Sequence, residues 1–281
     1  MLADVLARAR ARLVAAGIKP DEAAVDVDVY ARTILGWDRA TLLQNLRQPT
    51  PPALEPRFSE WITRREQREP TAYIVGSREF WGRLFHVTSA VLIPRPETEI
   101  IIDAALALLR AFPTPRIADI GTGSGVLAVT LAAELPAADV TGTDLSADAL
   151  DVATQNAERH GVATRVTFVH TSYLDDVPGS FDLMVANPPY VRDSDKSALA
   201  RDVRHEPDMA LFGGPDGLRD VGGVLDAAVE KLRPGGWFVM EFGYGQEDDV
   251  QRLVDARPAL RLEHTRGDLQ GIARTAIIRK P

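Results

Sequence analysis

The first 75 residues show apolar side chains at the spacing of short amphipathic helices. The first stripe stops at Gly17, and Pro20 with the two acids after it predicts the start of a second helix. Pro51 and Pro52 then interrupt the pattern before the last stripe. Four stripes predict a small helical bundle, and none of its residues suggests catalysis. The first, third and fourth stripes contain Leu2, Val5, Leu6, Ala9 and Leu13, then Leu42, Leu43 and Leu46, and then Leu54, Phe58, Trp61 and Ile62.

From Phe80 onward the pattern changes to short strands and longer helices. Aromatic and branched residues on both sides of Gly82 predict a β-hairpin, which with its flanks fills residues 76–94. Pro96 and Glu97 predict the start of a helix, and a larger α/β domain is expected over residues 95–281. The apolar face of that helix contains Ile100, Ile101, Ala104, Leu106 and Leu109.

Seven apolar segments of the larger domain predict strands. Helical stretches alternate with most of them, which favours a mostly parallel sheet covered by helices on both faces. The last two segments have no long helix between them, so we expect one of them to run antiparallel. The segments are RIADI, DVTGTD, RVTFVH, FDLMVA, GWFVMEFG, 260–264 and 273–279, with helices from Ser124, over 146–160, around 224–232 and near 246–256.

Composition narrows the chemistry. The 281 residues contain no cysteine, which excludes disulfides, thiolate zinc sites, iron–sulfur clusters and cysteine nucleophiles. The five histidines show no ligand spacing, so no metal is expected. The formal net charge is −8, whereas a DNA-binding protein usually presents a basic field. We therefore expect no stable binding to nucleic acid.

No segment resembles a membrane anchor or a leader peptide. No apolar run approaches the roughly 20 residues of a membrane span. The amino terminus is amphipathic and contains arginines, unlike the apolar segment of a signal peptide. A cytoplasmic monomer that works away from membranes is expected.

A glycine-rich turn follows the first strand of the larger domain. Gly121, Gly123 and Gly125 permit positive φ and allow a ligand to approach the backbone. Asp144 ends the next strand, about 20 residues further on, where a carboxylate can accept both hydroxyls of a ribose. In an open α/β sheet, ligands bind beside the carboxyl ends of such strands. The turn and the acid together predict a nucleoside cofactor.

The glycine spacing favours S-adenosylmethionine over a dinucleotide. The dinucleotide fingerprint has glycine at its first, third and sixth positions, which seats pyrophosphate at the helix start. Here Val126 occupies the sixth position, and a glycine stands at the fifth instead. A wider turn without a phosphate seat fits S-adenosylmethionine, because that molecule has no phosphate.

The sequence Asn187-Pro188-Pro189-Tyr190, called below the Asn-Pro-Pro-Tyr loop, indicates which chemical group of a substrate the site would bind. Prolines fix φ and lack N–H donors, so the side-chain oxygen of Asn187 and the carbonyl of Pro188 can converge. The two hydrogens of a planar NH2 group can bond to these two oxygens. Hydrogen bonding of both N–H groups localises electron density on the nitrogen, which is otherwise delocalised. Tyr190 offers an aromatic face to that group and to the positive charge that develops on it.

The glycine turn, Asp144 and this loop resemble class I methyltransferases that modify planar amino groups, including DNA adenine and cytosine enzymes and protein glutamine enzymes. Three further stretches narrow the resemblance, namely PTAYIVG at 70–76, FWGRLFHV at 80–87 and VLIPRPETE at 91–99. With them the chain looks like the peptide chain release factor N5-glutamine methyltransferase family (PrmC/HemK type). The likeness covers nearly the whole chain and is weakest over the first 65 residues.

The resemblance implies a Rossmann-like fold and a protein substrate. A methyl group of S-adenosylmethionine would pass to the glutamine amide in the Gly-Gly-Gln motif of class I release factors, yielding S-adenosylhomocysteine and tuning translation termination. The helical domain, residues 1–75, would help to dock the release factor. The implied catalytic residues are Asn187, Pro188 and Tyr190, with Pro189 also on the substrate; the implied cofactor residues are Gly121, Thr122, Gly123, Ser124, Gly125, Asp144, Leu145, Tyr173 and Asn187.

Several positions allow two interpretations. Relatives often carry a tryptophan that packs on adenine where this chain has Ser172 and Tyr173, and either register is possible. Arg95 and Glu97 either line the cofactor entrance or cap the next helix. The segments 206–207 and 210–217 form either a loop over the substrate cleft or a plain surface turn. No dedicated general base is expected, because the amide nitrogen becomes strongly acidic once the methyl group arrives. Asp182 starts its strand far from the loop and is not expected to be such a base.

Three other functions stay open. Glutamine methylation of a ribosomal protein shares the architecture. Methylation of adenine N6 or cytosine N4 shares the acceptor chemistry, although the acidic charge and the lack of room for a basic target-recognition domain disfavour it. A nucleotide-binding module without catalysis would have no use for Asn187 and Tyr190.

Overall fold

The computed structural model describes residues 1–110 and 112–281 and divides the chain into two compact units. The helical unit comprises Met1–Gly76 together with Ala200–His205, and the sheet unit comprises Ser77–Leu199 together with Glu206–Pro281. Across the described residues, every helix is too short or too polar to cross a membrane. The helical unit contains α1 (Leu2–Ala15), α2 (Pro20–Leu35), α3 (Arg39–Gln44), α4 (Arg57–Glu66) and α5 (Thr71–Val75), with 3-10 turns at Pro52–Leu54 and Val203–His205.

The apolar stripes of the helical unit meet in one core. Leu2, Leu13 and Tyr30 are fully buried there. The rings of Tyr30 and Trp61 pack edge to face with their centroids 5.5 Å apart. The predicted helical bundle is confirmed, and α5 is an additional short helix that the apolar pattern did not indicate.

A buried arginine joins the segment 200–205 to the helices of the same unit. Arg65 pairs with Asp26 and Asp202 over 2.7 Å each, and also with Glu22. Burial alone would lower the pKa of Arg65, but its hydrogen bonds to Asp26 and Asp202 raise that pKa overall. Arg65 and Asp202 lie 137 positions apart, so no local pattern in the sequence could reveal their pairing.

The described part of the sheet unit contains nine strands and six α-helices. The strands are β1 (Ser77–Phe80), β2 (Arg83–His86), β3 (Arg116–Ile120), β4 (Asp139–Asp144), β5 (Val166–His170), β6 (Phe181–Ala186), β7 (Leu232–Glu241), β8 (Arg261–Gly267) and β9 (Ala273–Arg279). The α-helices are α6 (Glu99–Leu108), α7 (Val126–Glu134), α8 (Ala147–Arg159), α9 (Asp208–Leu211), α10 (Arg219–Lys231) and α11 (Glu247–Asp255), with 3-10 turns at Pro96–Thr98, Leu109–Ala111 and Asp193–Ala198.

The main sheet has seven strands in the order β5-β4-β3-β6-β7-β9-β8, and β1 pairs with β2 in a separate hairpin. The strands from β5 to β7 pair in parallel, whereas β9 pairs antiparallel with both of its neighbours. The predicted α/β class, the mostly parallel seven-stranded sheet and the single antiparallel closing strand are confirmed. Strand order reverses at β3, which pairs with β4 on one side and β6 on the other, and such a point favours ligand binding.

The core covers both faces of the sheet. All six residues of β6 are buried, as expected of a central parallel strand. Leu183 and Val185 belong to the apolar cluster that includes α6 and α7, whereas Met184 and Ala186 belong to the cluster that includes α10 and α11. The alternation along β6 therefore divides its side chains between two helical layers.

One helix begins earlier than the sequence predicts. The apolar pattern placed it around 224–232, but α10 starts at Arg219. Gly222 and Gly223 lie in its first turns, and glycine is a poor helix former, which hid the start. Gly223 has a packing reason: a Cβ at this position would lie 2.2 Å from the ring of Tyr173.

A buried asparagine ties the hairpin to the glycine turn. Asn156 of α8 is fully buried, and its Oδ1 accepts the N–H of His86 over 2.7 Å. Its Nδ2 donates to the carbonyl of His86 over 2.9 Å and to that of Ser124 over 2.8 Å. One side chain thereby pairs three backbone groups, two from β2 and one from the turn.

Replacing Asn156 by leucine should lower the free energy of unfolding by about 2–5 kcal/mol, because each buried polar group left unpaired costs about 1–3 kcal/mol. Urea unfolding followed by circular dichroism measures the loss. Gln155→Leu is the matched control, since Gln155 is an exposed neighbour on the same helix. Equal losses in the two variants would show that the hydrogen bonds of Asn156 to His86 and Ser124 do not stabilise the fold.

Candidate active site

A cavity of about 1100 Å³, counted with its opening to solvent, lies at the carboxyl ends of β3, β4 and β6. The glycine turn, Asp144 and the Asn-Pro-Pro-Tyr loop follow these three strands, so parallel pairing brings them together. Predicted residues in the cavity wall are Gly121, Thr122, Gly123, Ser124, Asp144, Leu145, Tyr173, Asn187, Pro188 and Pro189.

The glycine turn needs its glycines for two different reasons. Gly121 and Gly123 have φ of +69° and +54°, and no heavy atom of the described residues, apart from the glycine and its two chain neighbours, lies within 4 Å of the place a Cβ would take. Gly125 has φ of +80°, and a Cβ there would lie 3.1 Å from the Cβ of Ala153. The first two glycines thus leave backbone open to a ligand, while Gly125 lets α7 and α8 approach.

Asp144 holds the turn as well as facing the cavity. Its Oδ2 accepts the N–H of Gly123 over 2.9 Å, and its Oδ1 accepts the N–H of Ser146 over 2.9 Å. Each carboxylate oxygen has lone pairs beyond the one used, so the side chain can still accept hydroxyl donors from a ligand.

Tyr173 is fixed at the side of the cavity. It has a positive φ of +45°, and its carbonyl accepts the hydroxyl of Thr143 over 2.6 Å. Its own hydroxyl donates to Asp220 over 3.0 Å, and burial together with that carboxylate raises the pKa of Tyr173 to about 12. Of the two residues that the sequence left open, the cavity wall contains Tyr173.

The Asn-Pro-Pro-Tyr loop is held from behind. Asn187 Nδ2 donates to Thr98 Oγ1 over 3.1 Å, and Thr98 Oγ1 donates to Glu241 Oε2 over 2.7 Å. The hydroxyl of Tyr190 donates to Glu241 Oε1 over 3.1 Å, and burial first, then this carboxylate, raises the pKa of Tyr190. Tyr190 lies outside the cavity wall, so its contact with a substrate stays a prediction.

A second buried acid lies beneath the glycine turn. Asp119 is 1% exposed, and its Oδ2 accepts the hydroxyl of Thr122 over 2.7 Å and the N–H of Ala128 over 3.0 Å. Its Oδ1 is buried without a hydrogen-bond partner among the described residues. Burial, with a smaller contribution from Asp144, raises the pKa of Asp119 to about 7.

Curated relatives match almost the whole chain. The chain is 43% identical over 280 residues to a release factor glutamine methyltransferase from Cereibacter sphaeroides, with 99% of this chain and 98% of that protein covered. The chain belongs to the release factor glutamine methyltransferase family. A family member from Bradyrhizobium diazoefficiens is 40% identical over 264 residues, covering 92% of this chain and 89% of that protein.

Two family models match separate parts of this family member. The PrmC N-terminal domain matches residues 4–76, and the Methyltransferase small domain matches residues 99–211. Among solved structures, a T. thermophilus 16S rRNA N2 G1207 methyltransferase in complex with AdoMet and guanosine has a TM-score of 0.51 at 18% identity, covering 73% of this chain and 49% of that chain. That likeness shows the methyltransferase fold alone. The family resemblance expected from the sequence is thereby confirmed.

Some of the remaining predicted positions line the cavity, and Glu97 does not. Arg95 lines the cavity and pairs with the buried Glu206 over 2.5 Å, and Glu206 also accepts the N–H of Ile93 over 2.9 Å. Pro207 and the adjoining positions 209 and 210 also line the cavity. Each of the two segments therefore contributes one residue, Pro207 or Ala210, to the cavity wall, whereas Glu97 stays unassigned.

Asp182 is bound by two arginines and is not part of the cavity wall. It accepts the N–H of Arg116 over 2.8 Å and pairs with Arg233 over 2.8 Å. That Asp182 is no general base stays a prediction. Within the described residues, no three histidine, aspartate or glutamate side chains are grouped to hold a metal ion, and the absence of a metal stays a prediction.

Four polar residues of the site escaped the sequence analysis, namely Thr98, Asp119, Asp220 and Glu241. Thr98 and Glu241 lie 143 positions apart, so only the fold joins them. Asp119 and Glu241 each lie within or at the end of an apolar strand, and a buried acid in such a strand is the signal that could have found them.

Asp119→Asn should flatten the pH dependence of stability. The unfolded carboxyl titrates near 3.9, whereas the folded one has a pKa of about 7. Between these values the folded state keeps a proton that the unfolded state releases, so wild-type stability falls as pH rises, by at most roughly 1.4 kcal/mol per pH unit. Asparagine keeps an acceptor for Thr122 and Ala128 but carries no charge.

Urea unfolding of both proteins at pH 5, 6, 7 and 8 tests this expectation. The stability difference should move in favour of Asp119→Asn as pH rises through this range. A difference that is the same at all four values would show that Asp119 is ionised throughout.

Proposed function

We propose that this chain transfers a methyl group from S-adenosylmethionine to the side-chain amide nitrogen of the glutamine in the Gly-Gly-Gln motif of class I peptide chain release factors. The observation that carries the proposal is the position of Asn187 and Pro188 in the wall of the cavity that the glycine turn also lines. Membership of the release factor glutamine methyltransferase family supports the same substrate.

The cavity residues fit S-adenosylmethionine. Gly121 and Gly123 present bare backbone to open space, and Asp144 keeps lone pairs for the ribose hydroxyls. Tyr173 in the cavity wall supplies an aromatic face for adenine. When bound, S-adenosylmethionine supplies a methyl group on a positively charged sulfur atom.

The residues of this chain act by positioning and by electrostatics. Asn187 Oδ1 and the carbonyl of Pro188 accept the two N–H bonds of the glutamine amide. These contacts orient the nitrogen and favour electron density on it. Once the new N–C bond forms, the nitrogen is positively charged and acidic, so its proton passes to water without a dedicated base.

We assign residues 1–75 to docking the release factor, residues 76–94 to a linking hairpin and residues 95–281 to the catalytic domain. We further propose a cytoplasmic monomer that binds nucleic acid weakly at most, as the net charge of −8 suggests. The alternatives, a ribosomal protein glutamine or a base amino group, have the same acceptor chemistry but lack the support of family membership.

Incubation with tritiated S-adenosylmethionine separates these substrates. Purified class I release factor, ribosomal proteins and DNA are offered in parallel, and label is located by mass spectrometry. We expect label on the glutamine of the Gly-Gly-Gln motif. A release factor whose glutamine is already replaced by alanine serves as the control, and label on ribosomal protein or DNA alone would overturn the proposal.

Two substitutions should separate acceptor binding from cofactor binding. Asn187→Ala removes an acceptor and should lower kcat at least about 100-fold, with little change in the Kd of S-adenosylhomocysteine. Asp144→Ala should raise that Kd about 10- to 100-fold, because hydrogen bonds to a charged group are lost.

Isothermal titration with S-adenosylhomocysteine and single-turnover kinetics measure the two effects. Near-normal turnover of the release factor by Asn187→Ala would contradict the acceptor geometry. Unchanged binding in Asp144→Ala would remove Asp144 from the cofactor site.

A further inference from the structure

A hydrogen-bond chain behind the Asn-Pro-Pro-Tyr loop ends on one buried carboxylate. Glu241, the last residue of β7, is 2% exposed. One of its oxygens accepts the hydroxyl of Thr98, and the other accepts the hydroxyl of Tyr190. Thr98 in turn accepts from the amide of Asn187. Glu241 thus reaches both ends of the loop without lining the cavity itself.

The direction of this chain follows from the number of protons available. In the structure both oxygens of Glu241 accept a hydroxyl, and a threonine hydroxyl has a single proton. Because Glu241 takes that proton, Thr98 Oγ1 offers Asn187 only lone pairs. The NH2 end of the Asn187 amide can bond there, whereas a reversed amide would place Oδ1 against an oxygen with no proton to donate.

The two acceptors of the loop differ in their need for such control. The carbonyl of Pro188 is fixed by the backbone between two prolines. The amide of Asn187 has two ends of nearly equal size and opposite polarity, so a half-turn would replace an acceptor by a donor. A donor at that place would repel the N–H of the substrate amide.

We propose that Glu241, acting through Thr98, is a positioning residue that keeps Asn187 Oδ1 turned toward the acceptor amide. This inference rests on the proposed function, in which Oδ1 accepts from the glutamine NH2. Glu241 also holds the hydroxyl of Tyr190, which stabilises the end of the same loop.

Burying the carboxylate of Glu241 destabilises the folded protein, and packing at the end of β7 does not require an acid. Burial raises the pKa of Glu241, and the hydrogen bonds from Thr98 and Tyr190 act in the opposite direction. An apolar residue would fill the end of β7 without that cost. Retaining an acid there is consistent with a role in orienting the groups that it binds.

Thr98→Val and Thr98→Ser form the first test. Valine keeps the shape of threonine but removes the acceptor for Asn187, so kcat on the release factor should fall about 10- to 100-fold, as for a misplaced catalytic group. The Kd of S-adenosylhomocysteine should stay near wild type, whereas the thermal midpoint should fall, because a buried oxygen of Glu241 loses its donor. Serine keeps the hydroxyl and should restore most of the turnover that valine loses.

Thr275→Val is the matched control. Thr275 is fully buried on β9 directly opposite Glu241, and its hydroxyl has no hydrogen-bond partner among the described residues. This variant should turn over like wild type. An equal loss in Thr275→Val would mean that the Thr98 effect reflects packing.

Glu241→Gln and the double variant with Thr98→Val form the second test. Glutamine offers one acceptor oxygen where the carboxylate offers two, so Thr98 and Tyr190 compete for it and the proton of Thr98 is no longer held in one direction. If both residues act through Asn187, the double variant should lose no more kcat than the worse single variant. Losses in kcat that multiply in the double variant would overturn the proposed action of Glu241 through Thr98. If Glu241→Gln fails to fold, the comparison of Thr98→Val with Thr98→Ser decides alone.

A measurement without cofactor or substrate completes the design. The side-chain NH2 signals of Asn187 are assigned by their loss in Asn187→Ala, and their hydrogen exchange is followed by NMR. Protection should be present in wild type and Thr98→Ser and lost in Thr98→Val. Unchanged exchange or unchanged kcat in Thr98→Val would overturn the inference, whereas a wild-type enzyme inactive on release factors would overturn only the proposed function.

Discussion

The parallel pairing of three neighbouring strands is the constraint on which the rest of this structure depends. β3 lies between β4 and β6, so their carboxyl ends meet at one edge of the sheet. Each strand is followed by a different chemical group: the glycine turn, Asp144 or the Asn-Pro-Pro-Tyr loop. A shift of one strand in register would separate these groups, because side chains alternate between the two faces of a strand.

Buried polar side chains hold this edge in place from below. Asn156 pairs backbone groups of the hairpin and the turn, Asp119 accepts two donors under the turn, and Glu241 accepts two donors behind the loop. Hydrogen bonds between buried polar groups rigidify the structure around them, although Asp119 Oδ1 has no partner among the described residues. The cavity wall can therefore consist of open glycines and prolines and still keep its shape.

Local patterns in the sequence predicted the elements and the motifs, because helix spacing, apolar strands and turn residues are properties of neighbouring positions. The Asn-Pro-Pro-Tyr loop was visible for the same reason. Thr98, Glu241 and the ion pairs of Arg65 were not, since each joins residues that only the folded chain brings together. The start of α10 was missed because glycines that accommodate Tyr173 weaken the helical pattern.

The membership of Ala200–His205 in the helical unit has a consequence for how that unit can be exchanged. A fragment that ends at Gly76 would lack Asp202, the carboxylate that bridges Arg65 and Arg68. Grafting the helices of one family member onto the sheet of another therefore requires this hexapeptide to travel with them. Arg65 and Asp202 are encoded far apart in the gene, so a change at one of them must be matched at the other if their ion pair is to be kept.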